Sequence, residues 1–198
     1  MQTNLNSRQI KAIETKKKIY DTAIELMETI GFENITINKI CKGANVAVGT
    51  FYYYYKSLDF IIVESYKELD YYFEKLEKEG YFEGNYKEKI FKIVSEQISY
   101  PIRKGIKITT QFYKSQLTSE NEYFTSSERK SPMLLRIAIE EGQDLGKITK
   151  DISSSTIRND ISNIIRGTIY SWCLRNGDFD PIKEGLGTLE RYFKGIEI

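Results

Sequence analysis

Gly31-Phe32-Glu33-Asn34-Ile35-Thr36-Ile37-Asn38-Lys39-Ile40 reads as the end of one helix and the start of the next. Gly31 is placed to terminate a helix, with Phe32 and Ile35 packing under its end. Thr36 is an N-cap, its hydroxyl accepting from the free amides of a short helix from Ile37 to about Lys42. Ile37, Ile40 and Cys41 face inward on it. After Cys41-Lys42-Gly43 the chain continues Ala44-Asn45-Val46-Ala47-Val48-Gly49-Thr50-Phe51-Tyr52-Tyr53-Tyr54-Tyr55-Lys56-Ser57. Gly43-Ala44-Asn45 is a turn, because Gly and Asn tolerate positive φ. A second short helix then covers roughly Ala47 to Tyr53. Two short helices across a tight turn make a helix-turn-helix unit, whose second helix fits the major groove of DNA.

Outward from this stretch the periodicity stays helical. Upstream, Ile13, Ile19, Tyr20, Ala23, Met27 and Ile30 recur at mostly three- and four-residue spacing and predict an amphipathic helix from Lys11 to Ile30. Downstream, Ser57 is expected to cap a long helix with an aromatic inner face. Further helices are predicted over 86–100, 102–117 and 131–141, with Pro101 breaking the first from the second. Residues 119–130 read as a polar, mobile loop. A long apolar-periodic helix follows over 155–174, and Pro181 opens a last helix reaching about Phe193. The fold class is therefore all-α: a three-helix helix-turn-helix domain over 8–56, then a larger helical domain over 57–198.

Composition narrows the function. Of 198 residues, 40% are apolar and 29% charged, as expected of a soluble globular chain. There is no histidine, which removes the commonest metal ligand and the commonest general base together. No nucleophile–histidine pair and no glycine-rich phosphate loop exists, so no catalytic residue, metal or cofactor is expected. Cys41 and Cys173 sit in apolar-periodic stretches and read as buried thiols in a reducing compartment. With no signal peptide and no membrane-spanning run, a cytoplasmic protein is expected. Residues 1–56 carry eight Lys/Arg against five Asp/Glu, while the remainder is slightly acidic. Five of those cations crowd between Arg8 and Lys18. A basic head on an acidic body suits phosphate contact, although a charge run alone equally suits a solvated helix end.

The two quoted stretches closely resemble the DNA-binding domain of TetR-family repressors over residues 8 to about 60. The shared pattern is a Gly-aromatic end to the first helix, a Thr-capped second helix, and a recognition helix closing on Gly-Thr-x-Tyr-x-Tyr-Phe-x. The resemblance implies DNA contacts from Lys18, Thr36, Ala47, Val48, Gly49, Thr50, Tyr52, Tyr53 and Lys56. Thr50 and Tyr53 would address base edges. Tyr52 and Lys56 would hold phosphates. Gly49 would permit close approach to DNA or, alternatively, tight packing inside the protein. Phe51 and Tyr54 are expected to face inward. Ala47 stands where the family often has Ser, Asn45 replaces a common turn Gly, and Tyr55 replaces the usual Phe.

The same resemblance implies a homodimer on a near-palindromic double-stranded operator, released by a small-molecule effector. An apolar effector would meet some of Tyr66, Phe91, Tyr100, Phe112, Tyr113 and Phe124, although most such aromatics serve as core. Ile161, Ile165, Ile169 and Trp172 on one helix, with Leu186 and Leu189 on the last, form stripes suited to an intersubunit bundle or to intrachain core. Two other classes compete: a helical enzyme with an aromatic pocket, and a protein-binding adaptor whose DNA domain is non-functional.

Overall fold

A computed structural model describes residues 6–118 and 122–198. Among the described residues there are nine α-helices and no strand: α1 Ser7–Ile30, α2 Ile37–Ala44, α3 Val48–Tyr54, α4 Asp59–Lys78, α5 Tyr86–Arg103, α6 Ile106–Thr118, α7 Lys130–Asp144, α8 Ser154–Leu174 and α9 Pro181–Phe193. The all-α expectation holds.

Local chemistry explains most boundaries. α1 begins a turn earlier than Lys11 because Asn6 and Gln9 form a reciprocal capping box, each side chain accepting from the other's amide at 2.9 Å. Thr36 caps α2 as expected, accepting from the Lys39 amide at 3.2 Å. Asn45 takes the left-handed conformation (φ 51°) and sets the turn into α3. Ser57 does not cap α4; Leu58 precedes that helix and offers no side-chain cap. Pro101 does not end α5 either. The helix runs one turn further to Arg103, and the chain breaks at Gly105 (φ 87°), where the Thr109 hydroxyl donates to the Pro101 and Gly105 carbonyls. Near a C-terminus proline removes a single backbone donor, so the helix tolerates it.

Two hydrophobic cores organise the molecule. The larger packs α5, α7, α8 and α9 around Ile90, Ile98, Leu135, Ile139, Ile161 and Phe193. The C-terminus is pinned there by a short bridge, Thr149 donating to the Ile196 carbonyl at 2.9 Å. The smaller core gathers Ile19, Ala23, Met27, Ile40 and Phe51 of the first three helices. It also takes Ile61 and Ile62 of α4, Ile108 and Phe112 of α6, and Phe124. The core of the head therefore does not close within residues 8–56.

Of the two uses left open for the stripes of α8 and α9, an intersubunit bundle or intrachain core, the single chain shows the second. Ile161, Ile165, Ile169, Trp172 and Leu189 are all buried inside the single chain, and Leu186 is half-buried. α8 lies between α5, α6, α7 and α9, so its apolar stripe is consumed as intrachain core. The outward face of α8 is a different one, carrying Asn163, Gly167, Tyr170, Ser171 and Leu174.

Candidate nucleic-acid interface and ligand cavity

α3 is amphipathic in an unusual way, since four consecutive tyrosines divide between its faces. Phe51 is fully buried, and Tyr55 at the next turn is buried beside it, ring centroids 5.8 Å apart. The Tyr55 hydroxyl donates to the Lys16 carbonyl at 3.2 Å, which fixes the C-terminal end of α3 against α1. Burial, then the nearby carboxylates Glu64, Glu68 and Asp21, raise the Tyr55 pKa well above the ordinary phenol, so it stays a neutral donor. Sequence reasoning noted Tyr55 only as a replacement for Phe. Its four-residue spacing from Phe51 was the signal that it shares the inner face. Tyr54 is half-buried, its ring edge-on to that of Tyr53 at 4.9 Å.

The outer face is left to Val48, Gly49, Tyr52 and Tyr53, with Tyr53 81% exposed. Ala47, Thr36, Lys18 and Lys56 are exposed as well, whereas Thr50 is half-buried. A Cβ added to Gly49 would meet nothing within 4 Å, so the packing reading of that glycine fails. Lys56 lies with its ammonium 5.7 Å from the Phe60 ring centre and is in no ion pair among the described residues. The Thr36 hydroxyl uses one lone pair on the cap, and its proton is in no hydrogen bond among the described residues.

A cavity of about 440 Å³ lies between α4, α5, α6 and α8. Tyr66, Tyr100, Phe112, Tyr113 and Phe124 line it, as does apolar surface from Leu69, Ile165 and Ile169. Phe91 does not. It packs edge-on to Phe193 at 5.6 Å on the far side of α5, as part of the larger core. Burial, partly offset by the charges of Arg129 and Arg166, pushes the Tyr66 pKa up to about 12. Burial raises Tyr100 and Tyr113 further still, so the phenols of the wall are neutral at any physiological pH.

Sequence reasoning missed the charged part of this wall. Lys104, Arg129, Arg158 and Arg166 all line the cavity, and among the described residues no Asp or Glu does. Arg129 is already engaged: Nε lies 3.0 Å from an Asp70 oxygen, and the guanidinium lies over the Tyr66 ring. Tyr123 also donates to Asp70, so residues 122–130 are tied down to α4 instead of forming the expected mobile loop. Residues 119–121 of that loop lie outside the described residues. Lys104 pairs with Glu68 at 3.4 Å. Arg158 and Arg166, two turns apart on α8, are in no ion pair among the described residues. The Arg158 Nε is the one buried side-chain polar atom among them without a hydrogen-bond partner.

The wall also touches the head. Ser65 lines the cavity and shares a 2.7 Å hydrogen bond with Tyr20 of α1, and Phe112 belongs both to the wall and to the smaller core.

An exposed recognition helix on a capped helix-turn-helix, joined to a helical body with an internal cavity, defines the ligand-responsive class of DNA-binding regulators. Residues 19–61 match the model of bacterial regulatory proteins, tetR family. The fatty acid metabolism regulator protein of Bacillus subtilis (strain 168) is 26% identical over 182 residues, spanning 90% of this chain and 94% of that protein. The solved structure of FadR from Bacillus subtilis in complex with stearoyl-CoA is similar with a TM-score of 0.73 at 24% identity, over 91% of this chain and 98% of that one. Thermus thermophilus FadR, a TetR-family transcriptional repressor in complex with lauroyl-CoA, gives 0.66 at 17% identity, over 88% and 91%. Residues 19–61 thus carry the DNA-binding region of the tetR family, and the chain is a DNA-binding transcriptional regulator.

Proposed function

We propose that this chain is a repressor whose hold on its operator is relieved by a long-chain acyl-CoA. The observation that carries the reading is the composition of the cavity: aromatic and aliphatic walls with four cations and, among the described residues, no carboxylate. Such a lining suits an amphiphilic anion, and a volume of about 440 Å³ lies within the usual range of ligand sites. The relatives with bound stearoyl-CoA and lauroyl-CoA point to the same ligand class. Here Ile165, Ile169, Phe112 and Tyr113 offer surface to an acyl chain. Among the described residues Arg158, whose Nε has no partner, and Arg166 offer guanidinium groups free of ion pairs to phosphates or the thioester oxygen.

On the DNA side, Tyr53 and the half-buried Thr50 are assigned to base edges, Tyr52, Lys56, Lys18 and Thr36 to phosphates, and Ala47, Val48 and Gly49 to close apolar contact. Exposure of these residues favours a working DNA surface over the adaptor reading. Dimerisation is assigned to the outward face of α8, where Asn163, Gly167, Tyr170 and Leu174 recur at four- and three-residue spacing and Leu174 is 65% exposed. The ligand acts by binding the form with misplaced recognition helices more tightly than the DNA-binding form.

Fluorescence anisotropy tests this with a duplex selected from a random library by the protein itself. Stearoyl-CoA should weaken binding, with free CoA and stearate far less effective. DNA affinity unchanged at saturating acyl-CoA, or no acyl-CoA binding, sinks the ligand assignment.

A further inference from the structure

The matched family region begins at Ile19, yet α1 begins at Ser7, so three turns of helix stand in front of the helix-turn-helix unit. Their side chains from Ser7 to Lys18 are exposed or half-buried, and the first fully buried residue is Ile19. The C-terminal end of α3 meets α1 at Lys16, through the Tyr55 hydroxyl. The nine residues before Lys16 therefore extend the helix about 13 Å past that junction.

The cations on this extension are not equivalent. Lys16 pairs with Glu64 at 2.6 Å and Lys17 with Asp21 at 2.9 Å. The side chains of Arg8, Lys11 and Lys18 are in no ion pair and no hydrogen bond among the described residues, and all three are exposed. With Thr15 they recur at spacings of three, four and three, so they share one face of α1. The next residue along that face is Thr22, whose methyl abuts Gly43 so closely that a Cβ there would lie 2.7 Å from it. The row of unpaired cations is thus continuous with the side of α1 that packs on the end of α2, just before the turn into α3. Ile10 and Ile13, also exposed, lie around the opposite side.

The geometry points to a second grip on DNA: Arg8 and Lys11, in line with Lys18, hold backbone phosphates beyond the groove that the recognition helix enters. This rests on the DNA-binding role of the family and adds a surface outside its matched region. Charge complementarity and continuity with the recognition unit select duplex DNA as the occupant. The contacts are to phosphate, so they add affinity and salt dependence without reading sequence. The capping box at Asn6 and Gln9 holds the extension helical before DNA arrives.

The test uses the full-length protein and a duplex recovered from a random library, prepared trimmed to the selected palindrome and extended by about one helical turn on each side. Arg8→Gln/Lys11→Gln retains good helix formers, and circular dichroism checks that it does. On the extended duplex, the slope of log affinity against log salt should become shallower by about 2 per protomer, at about 0.9 per phosphate. Preference among operator variants should be unchanged. Lys17→Gln, whose ammonium is already engaged by Asp21, should leave the slope as it was. Three outcomes overturn the proposal: a wild-type slope in the double variant, an equal loss in Lys17→Gln, or an undiminished difference on the trimmed duplex. Failure of the wild-type protein to select any sequence would instead overturn its reading as a sequence-specific regulator.

Discussion

The larger core, between α5, α7, α8 and α9, contains no residue of the first three helices, whereas the smaller core mixes Ile19, Ala23 and Phe51 of the head with Ile108, Phe112 and Phe124 of the body. One is a platform; the other is shared property. The cavity lies against both, with Ile165 and Ile169 on the platform side and Phe112 and Phe124 on the shared side. A ligand that shifts the shared wall therefore moves atoms already packed on α1, with Ser65 and its hydrogen bond to Tyr20 as a second direct link. Changes on the platform should cost stability without altering regulation, and changes in the shared core should alter regulation out of proportion to their cost.

Phe193→Ala should have the largest effect on stability. Its ring is fully buried in the platform, and its loss leaves a cavity costing about 3–5 kcal/mol. Denaturant unfolding measures that loss. DNA affinity of the folded variant, and its response to ligand, should match the wild type. A shifted ligand response in folded Phe193→Ala would break the distinction between the two cores.

Phe112→Leu should cost less, about 1.5 kcal/mol or below, because the side chain stays apolar and borders existing empty space. Its effect on regulation should be the greater one: ligand still binds, but displaces less DNA at saturation. Tyr20→Phe removes a single buried hydrogen bond, worth about 1 kcal/mol, and should weaken the same coupling more mildly. Parallel titrations of ligand affinity and of ligand-induced DNA release separate coupling from binding. If both variants lose ligand affinity and keep full release at saturation, the route through α6 and α1 is wrong.

The two regions also differ in how far they could be read from sequence. The head was legible because its signals are local: Thr36 caps within three residues, Asn45 supplies its own left-handed turn, and the Gly49-to-Lys56 pattern is contiguous. The cavity was only half legible. Its aromatics could be nominated by type, but Phe91 and Phe112 look alike until packing sends one to each side of α5. Its cations come from separate elements, Lys104 after α5, Arg129 before α7, Arg158 and Arg166 on α8, and no spacing rule joins them. The stripe from Ile161 to Trp172 was correctly read as buried, but periodicity reports that a face is covered and not which surface covers it.

Gly49→Ala should have the smallest effect on stability, and of opposite sign. Alanine exceeds glycine in helix propensity by about 1 kcal/mol, and the added methyl meets no atom within 4 Å in the free protein. The melting temperature should therefore rise slightly. DNA affinity should nonetheless fall by about tenfold or more, because the methyl would occupy the space through which the outer face of α3 approaches the duplex. Since Gly49 lies in the head but outside both cores, ligand affinity should be unchanged. A raised melting temperature with lost DNA binding would show that this glycine is kept for the partner and not for the fold. Unchanged DNA affinity would mean that the Val48–Gly49–Tyr52–Tyr53 face is not the one that meets DNA, and the recognition surface would have to be sought elsewhere on the head.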